Sequence, residues 1–222
     1  MKKILIIVTN HSTLGDTEEQ NGTYLPELTH AVHEFNEQNI DYDIASITGG
    51  NAPLYGIDTP EDSINTSVYE NSEFKSKIED TKKVLDLDFS TYDAIYYPGG
   101  YGLLTDIASH KELGKKSAQF FESSKPLGSV CHGPAALLPI TLSNGSSILE
   151  GKEVTGFTRE EEIEMDTLDK IPYLLEESLT RKAKLYKKMQ PWSEHVIVDD
   201  NLITGQNPQS ATKVAKEIIN QL

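Results

Sequence analysis

The stretch KPLGSVCHGPAALLPI, Lys125 to Ile140, decides the fold. Pro126 to Val130 is a small apolar run behind a proline and predicts a short buried strand. Ala135 to Ile140 predicts the opening of a helix. Between them stand Cys131, the single cysteine among 222 residues, then His132 and Gly133. A thiol on a sharp strand-to-helix turn is the cysteine form of a nucleophile elbow. Amides and dipole at a helix N-terminus favour a thiolate, so a Cys131 pKa below the ordinary thiol value is expected. The bland alternative is a small buried filler, the commoner role of a lone cysteine. The Cys-His-Gly order on such a turn favours the reactive thiol.

Upstream, Lys111 to Glu122 predicts the helix that feeds this strand. YDAIYY, Tyr92 to Tyr97, predicts the strand before it, running into PGGYG, Pro98 to Gly102. Near the N-terminus, the apolar run within Lys3 to Val8 predicts the first, central parallel strand. The loop NHSTLGDTEEQNG after it is long, and long loops at the carboxyl ends of parallel strands are where sites are built. Leu25, Leu28, Ala31, Val32 and Phe35 have helical spacing and predict a helix from about Tyr24 to Gln38. Asp41 to Ile47 predicts the second strand, Asn51 to Ser67 a loop, and Glu70 to Leu85 a polar helix or a pair of turns.

Downstream, Asn144-Gly145 marks a turn. Val154 to Phe157 predicts a short strand that meets TREEEIEMD, and Ile171 to Leu185 a helix with Leu174, Leu175, Leu179 and Ala183 on one face. His195 to Val198 and Leu202 to Thr204 predict a β-hairpin around Asp199-Asp200-Asn201. Ser210 is a natural N-cap for a last helix, Ala211 to Leu222. This β-α alternation predicts an α/β, doubly wound, Rossmann-like sandwich with a mainly parallel central sheet, in one domain over residues 1–222.

Composition narrows the function. A formal charge of −15 opposes binding to nucleic acid or to anionic membrane surfaces. It leaves small neutral molecules as the better partners. One cysteine forms no internal disulfide, and the five-residue run Ile4 to Val8 is too short for a signal peptide or a membrane span; both point to the cytoplasm.

Four pieces can meet at one end of such a sheet. Cys131 with His132 is the first. PGGYG is the second, since Gly99 and Gly100 let backbone N–H groups approach a ligand and form an oxyanion hole; alone it is an ordinary turn. Glu27, in the first turn of the first helix, is the third, although a carboxylate there is usually a surface charge that favours the dipole. The acidic run Glu160, Glu161 and Glu162 is the fourth, against the reading of a solvated helix start. His11 lies in the first long loop, within possible reach of the pocket, but a solvated histidine is the simpler reading. His30, His33 and His110 have no zinc-ligand spacing, so no metal is expected. Trp192 reads as packing or pocket wall.

The segments GTYLPEL (22–28), YDAIYYPGGYG (92–102), SVCHGPAAL (129–137), VTGFTREEE (154–162) and VDDNLITGQNPQSA (198–211) together resemble the ThiJ/PfpI superfamily of class I glutamine amidotransferase-like proteins. Within it the chain is most similar to the heat-shock glyoxalase III branch. The resemblance implies a flavodoxin-like sandwich, a homodimer, and no metal or organic cofactor. It makes Cys131 the nucleophile and His132 its imidazole partner. Glu27 becomes the carboxyl group beside the sulfur, Gly100 and His132 the oxyanion amides, and Glu162 the triad acid with Glu161 second. Relatives often carry GGHG where this chain has GGYG, so Tyr101 replaces a pocket histidine. The loop APLYGIDTPED (52–62) fits the family only loosely.

The activity implied is cofactor-free conversion of methylglyoxal to lactate, acting on a small reactive carbonyl. At contact distance Cys131 and Glu27 are expected to hold one negative charge between them, as a thiolate beside a protonated Glu27. An amidase, a cysteine peptidase or a protein deglycase suits the same thiol and imidazole. Against a glutaminase, His195 is followed by Val196 and Ile197 rather than by the His-x-Glu pair. A stress holdase or a redox sensor using Cys131 is the reading from a different class.

Overall fold

A computed structural model gives the fold over residues 2–59 and 61–222; Met1 and Pro60, the latter within the expected 51–67 loop, lie outside the described residues. Strand β1 (Lys3–Ile7) leads through β2 (Thr23–Tyr24) into helix α1 (Leu25–Glu37) and strand β3 (Asp41–Ser46). A short β4 (Leu54–Tyr55) precedes helices α2 (Ser63–Glu70) and α3 (Ser72–Glu79), then strands β5 (Lys82–Lys83) and β6 (Ala94–Tyr97). Helix α4 (Lys111–Glu122) and strand β7 (Leu127–Val130) reach the elbow. Beyond it lie β8 (Glu153–Val154), α5 (Arg159–Glu164), α6 (Leu175–Lys182) and β9 (Leu185–Tyr186). The hairpin β10 (Val196–Asp199) and β11 (Leu202–Gly205), then α7 (Ala211–Asn220), complete the chain.

Seven strands form the main sheet in the order β10-β11-β7-β6-β1-β3-β5. Every pairing is parallel except that of β10 with β11, where Val196 faces Gly205 and Asp199 faces Leu202. The inner strands β3-β1-β6-β7-β11 reproduce the flavodoxin-like order 2-1-3-4-5, whose ligand crevice opens at the carboxyl ends of the strands beside the order reversal. Strand β1 is buried on both faces. Its Leu5 and Ile7 join a core with Leu113, Phe120, Phe121 and Leu137. Ile4, Ile6 and Val8 point the other way, onto Leu28, Val32, Phe35, Val214 and Ile218 of α1 and α7. That two-sided burial is why the run reads as unbroken rather than alternating. No described helix is long and apolar enough to cross a membrane.

Six local expectations are corrected. The segment after the elbow is a 3₁₀ turn, Gly133–Leu137, rather than the opening of an α-helix; Pro134 at its start supplies no N–H. The 51–67 loop ends early, because Asp62 accepts the Asn65 N–H at 2.9 Å and opens α2. The 70–85 stretch divides at Asn71, which caps α3, and then continues into edge strand β5 and a 3₁₀ turn over Val84–Asp86. Helix α6 is only eight residues long, since Leu185-Tyr186 pairs with Glu153-Val154 instead. The strand expected over 154–157 shrinks to Glu153–Val154 by the same pairing. Ser210 does not cap α7; it has helical φ and ψ, and its Oγ donates to Asn207 Oδ1 at 3.0 Å.

Candidate active site

The elbow carries backbone strain. Cys131 has φ +60°, a left-handed conformation that costs a non-glycine residue about 1–3 kcal/mol. Two neighbouring segments hold it there: Cys131 N–H donates to Gly205 O at 3.0 Å, and its carbonyl accepts the Phe157 N–H at 2.9 Å. The thiol is thereby fixed at the carboxyl end of β7, buried, with His132 Nδ1 3.5 Å from Sγ.

On one side lies Glu27. Pro26 starts α1, and Leu25 and Leu28 anchor its first turn in the core, so Glu27 points inward and is fully buried. Its Oε2 accepts the Gly99 N–H at 2.6 Å, while Oε1 has no partner among the described residues. Burial pushes its pKa up to about 8, against the opposing pull of the Cys131 thiol and the Gly99 amide. Gly99 admits this approach because it has no side chain: a Cβ would stand 2.5 Å from Glu27 Oε2 and 2.7 Å from Cys131 Cβ.

On the other side lies Glu162. His132 Nε2 is 2.8 Å from Glu162 Oε1. A carboxylate accepts, so Nε2 carries a proton and donates it, and Nδ1 is the ring atom turned to the thiol. Burial alone would raise the Glu162 pKa; the charge and hydrogen bond of His132, then Thr167 and Tyr101, outweigh it and hold the group below its ordinary value. Both hydroxyls reach Oε2, Tyr101 at 3.2 Å and Thr167 in a short contact. Glu161 faces away. It completes a capping box with Thr158 and accepts from Trp192 N, Gln206 Nε2 and Asn207 Nδ2 at 2.9, 3.1 and 2.8 Å. Glu160 is exposed and pairs with Lys188 at 2.7 Å.

Tyr24, Tyr55, Tyr101, Phe157, Met165 and Trp192 wall a cleft of about 110 Å³ over Cys131 and His132. Among the described residues no lysine or arginine lines it. Gly100, at φ +125°, leaves its N–H without a protein partner among the described residues, as an oxyanion donor needs. Its missing side chain lets the loop lie against Gly22, whose carbonyl a Cβ would meet at 2.1 Å.

Three expectations about the site change. The Cys131 pKa is raised, not depressed: burial comes first, then the charge of Glu27 and its hydrogen bond, then Glu161, with only the His132 amide opposing. A five-residue 3₁₀ turn offers too little dipole to reverse that. The Gly99 N–H is committed to Glu27 and is not free for an oxyanion. Tyr101 lines the cleft with its ring, but its hydroxyl is spent on Glu162 and Thr167. His11 stays in its own loop, 3.2 Å from Gly15 O. Thr167 and the tyrosines at 24 and 55 were not singled out from sequence. The spacing Thr158-x-x-Glu161 is a capping-box signature and was the available sign that Glu161 turns back toward the helix start.

Known proteins resemble this chain along most of its length. The DJ-1/PfpI family pattern matches residues 19–221. Glyoxalase 3 of Candida albicans is 29% identical over 99% of this chain and 98% of its own length. The glutathione-independent glyoxalase HSP31 of Saccharomyces cerevisiae is 28% identical, over 100% and 98%. The crystal structure of Rapid Encystment Protein 24 KDa from Francisella tularensis superposes with a TM-score of 0.94 at 35% identity, covering 100% of this chain and 99% of that one.

Proposed function

Because this chain belongs to the DJ-1/PfpI family, we propose that it is a glutathione-independent glyoxalase, converting a small 2-oxoaldehyde such as methylglyoxal to a 2-hydroxy acid such as lactate. The observation that carries the proposal is the pairing of a buried thiol with two unlike carboxyls beneath a small cleft without cationic side chains. The cleft, of about 110 Å³, is small and walled largely by aromatic rings. It suits a molecule of a few heavy atoms. A peptide chain needs an open groove, which disfavours the peptidase reading.

The chemistry balances without an external oxidant. The Cys131 proton passes to His132 Nδ1 as Sγ attacks the aldehyde carbon, C1. Glu27 gives its proton to the developing alkoxide, which accepts the Gly100 N–H, and a hemithioacetal forms. The Glu27 carboxylate then removes the C1 proton to give an ene-diolate and delivers it to C2, while the C1 hydroxyl proton passes to the C2 oxygen. C1 is oxidised and C2 reduced within one molecule, leaving a Cys131 thioester. Water cleaves it: its hydroxyl joins C1 to give the acid, its other proton returns to Glu27, and the sulfur recovers its proton from His132. Each positioned acid or base contributes about 10²–10⁴-fold. The proposed substrate is a free carbonyl compound and the working form a homodimer, as the family resemblance implies, in the cytoplasm, as the single cysteine suggests. The test is purified protein with methylglyoxal and no glutathione, scored for lactate. Wild-type turnover that Cys131→Ser abolishes supports the proposal; equal turnover by both proteins contradicts it.

A further inference from the structure

We propose that Tyr101 and Thr167 form a hydroxyl clamp that positions Glu162, and through it His132, for the reaction at Cys131. Tyr101 makes two separate contacts with the triad. Its ring lies over the His132 imidazole with centroids 4.3 Å apart and planes at 39°. Its hydroxyl reaches Glu162 Oε2 and Thr167 Oγ1, each at 3.2 Å. Thr167 Oγ1 also donates to Glu162 Oε2. Glu162 Oε1 is left to His132 alone among the described residues. The two oxygens therefore have separate duties: Oε2 is pinned by hydroxyls, and Oε1 orients the imidazole. Phe157, with its centroid 4.5 Å from that of His132, closes another side of the ring.

The clamp follows from local sequence. Tyr101 is placed by the PGGYG turn at the end of β6, and its N–H donates to Asn21 Oδ1 at 3.2 Å. Thr167 lies just past the end of α5, where its N–H donates to the Glu162 carbonyl at 3.1 Å. The Tyr101 hydroxyl thus ties a β6 loop to the α5 terminus across the elbow. A buried carboxylate with hydroxyl donors on one oxygen is held ionised and in one rotamer. The titratable groups around the assembly are His132, Tyr101, Cys131, Glu161 and, beyond the sulfur, Glu27.

The proposal rests on Cys131 being the reacting group in the glyoxalase reading, so its test includes a readout that needs no turnover. We would measure the pH dependence of Cys131 alkylation by iodoacetamide and of kcat/KM with methylglyoxal. The proteins compared are wild type, Tyr101→Phe, Thr167→Val and Thr167→Ser. Tyr101→Phe keeps the ring over His132 and removes only the hydroxyl. The acid limb of both profiles is expected to move up by about one pH unit in Tyr101→Phe and Thr167→Val, as a lost hydrogen bond to a charged group implies. The value of kcat should fall about tenfold with KM nearly constant. Thr167→Ser, which restores a hydroxyl, should recover the wild-type midpoint. Unshifted alkylation and rate profiles in Tyr101→Phe, with thermal stability unchanged, would overturn the clamp. If the wild type makes no lactate while the alkylation limb still moves, the clamp stands and the glyoxalase reading falls.

Discussion

The α1 side and the α5 side of the elbow each bring a fully buried glutamate to the same cysteine, yet the two groups are driven to opposite states. Glu27 receives one backbone N–H and keeps an oxygen without a partner, so burial wins and its pKa rises to about 8. Glu162 receives an imidazole N–H and two hydroxyls, so its partners win and it stays ionised. Residue type and burial alike are the same; the number of donors differs. One site thereby holds a carboxyl that exchanges a proton near neutral pH beside a carboxylate that does not. The first suits proton transfer to and from carbon, and the second suits orientation of the imidazole.

The largest effect on this comparison should come from removing what the two sides share: Cys131→Ser is expected to lower lactate formation to the uncatalysed background. Next, Glu27→Gln should cost about 10²–10⁴-fold in kcat, the range for a lost acid–base group, while Cys131 remains open to alkylation. Glu162→Gln should cost a similar factor through a different route. It places an amide opposite His132 Nε2 and frees the imidazole to take the wrong tautomer, so its alkylation rate should fall with turnover. If both variants lose alkylation equally, the division of labour between the two sides is wrong.

Stability gives a smaller and independent contrast. Glu27 has a folded pKa above its ordinary 4.5, so its contribution to stability is whole below about 4.5 and is lost as pH rises to about 8. Glu162 has a lowered folded pKa, so its contribution is present above the ordinary carboxyl value and disappears as pH falls through the folded one. Denaturant titrations should therefore show Glu27→Gln gaining stability over wild type at pH 8.5 relative to pH 4.5. Glu162→Gln should lose most at neutral pH and less in acid. A Glu27→Gln difference that does not change with pH would mean that this carboxyl is not held protonated.

Much of this was legible in the sequence because the signals were local. The elbow announced itself through Pro126, the small run before Cys131 and the Gly133-Pro134 turn after it. Helix α1 and strand β1 were legible through unbroken apolar faces; Glu27 in the first turn read by itself as a surface charge, and the family resemblance put it beside the sulfur. The short parallel pair β8 and β9 was not, since Leu185-Tyr186 becomes a strand only when Val154 lies beside it. Two-residue β5 carries two exposed lysines and no apolar pattern at all. The rise in the Cys131 pKa was missed for the same kind of reason. It depends on how deeply a residue 104 positions away in the chain is buried beside it, which no local pattern records. The family resemblance put Glu162 ahead of Glu161, whereas the acidic run by itself does not separate them, because adjacent residues on a helix face different neighbours.

The measurement that tests the central claim most directly is lactate formation by Glu27→Gln at pH 7 without glutathione, run beside Cys131 alkylation on the same sample. A proton-transfer role for Glu27 predicts turnover reduced at least about a hundredfold with the thiol still alkylated. Wild-type lactate formation by Glu27→Gln would contradict it.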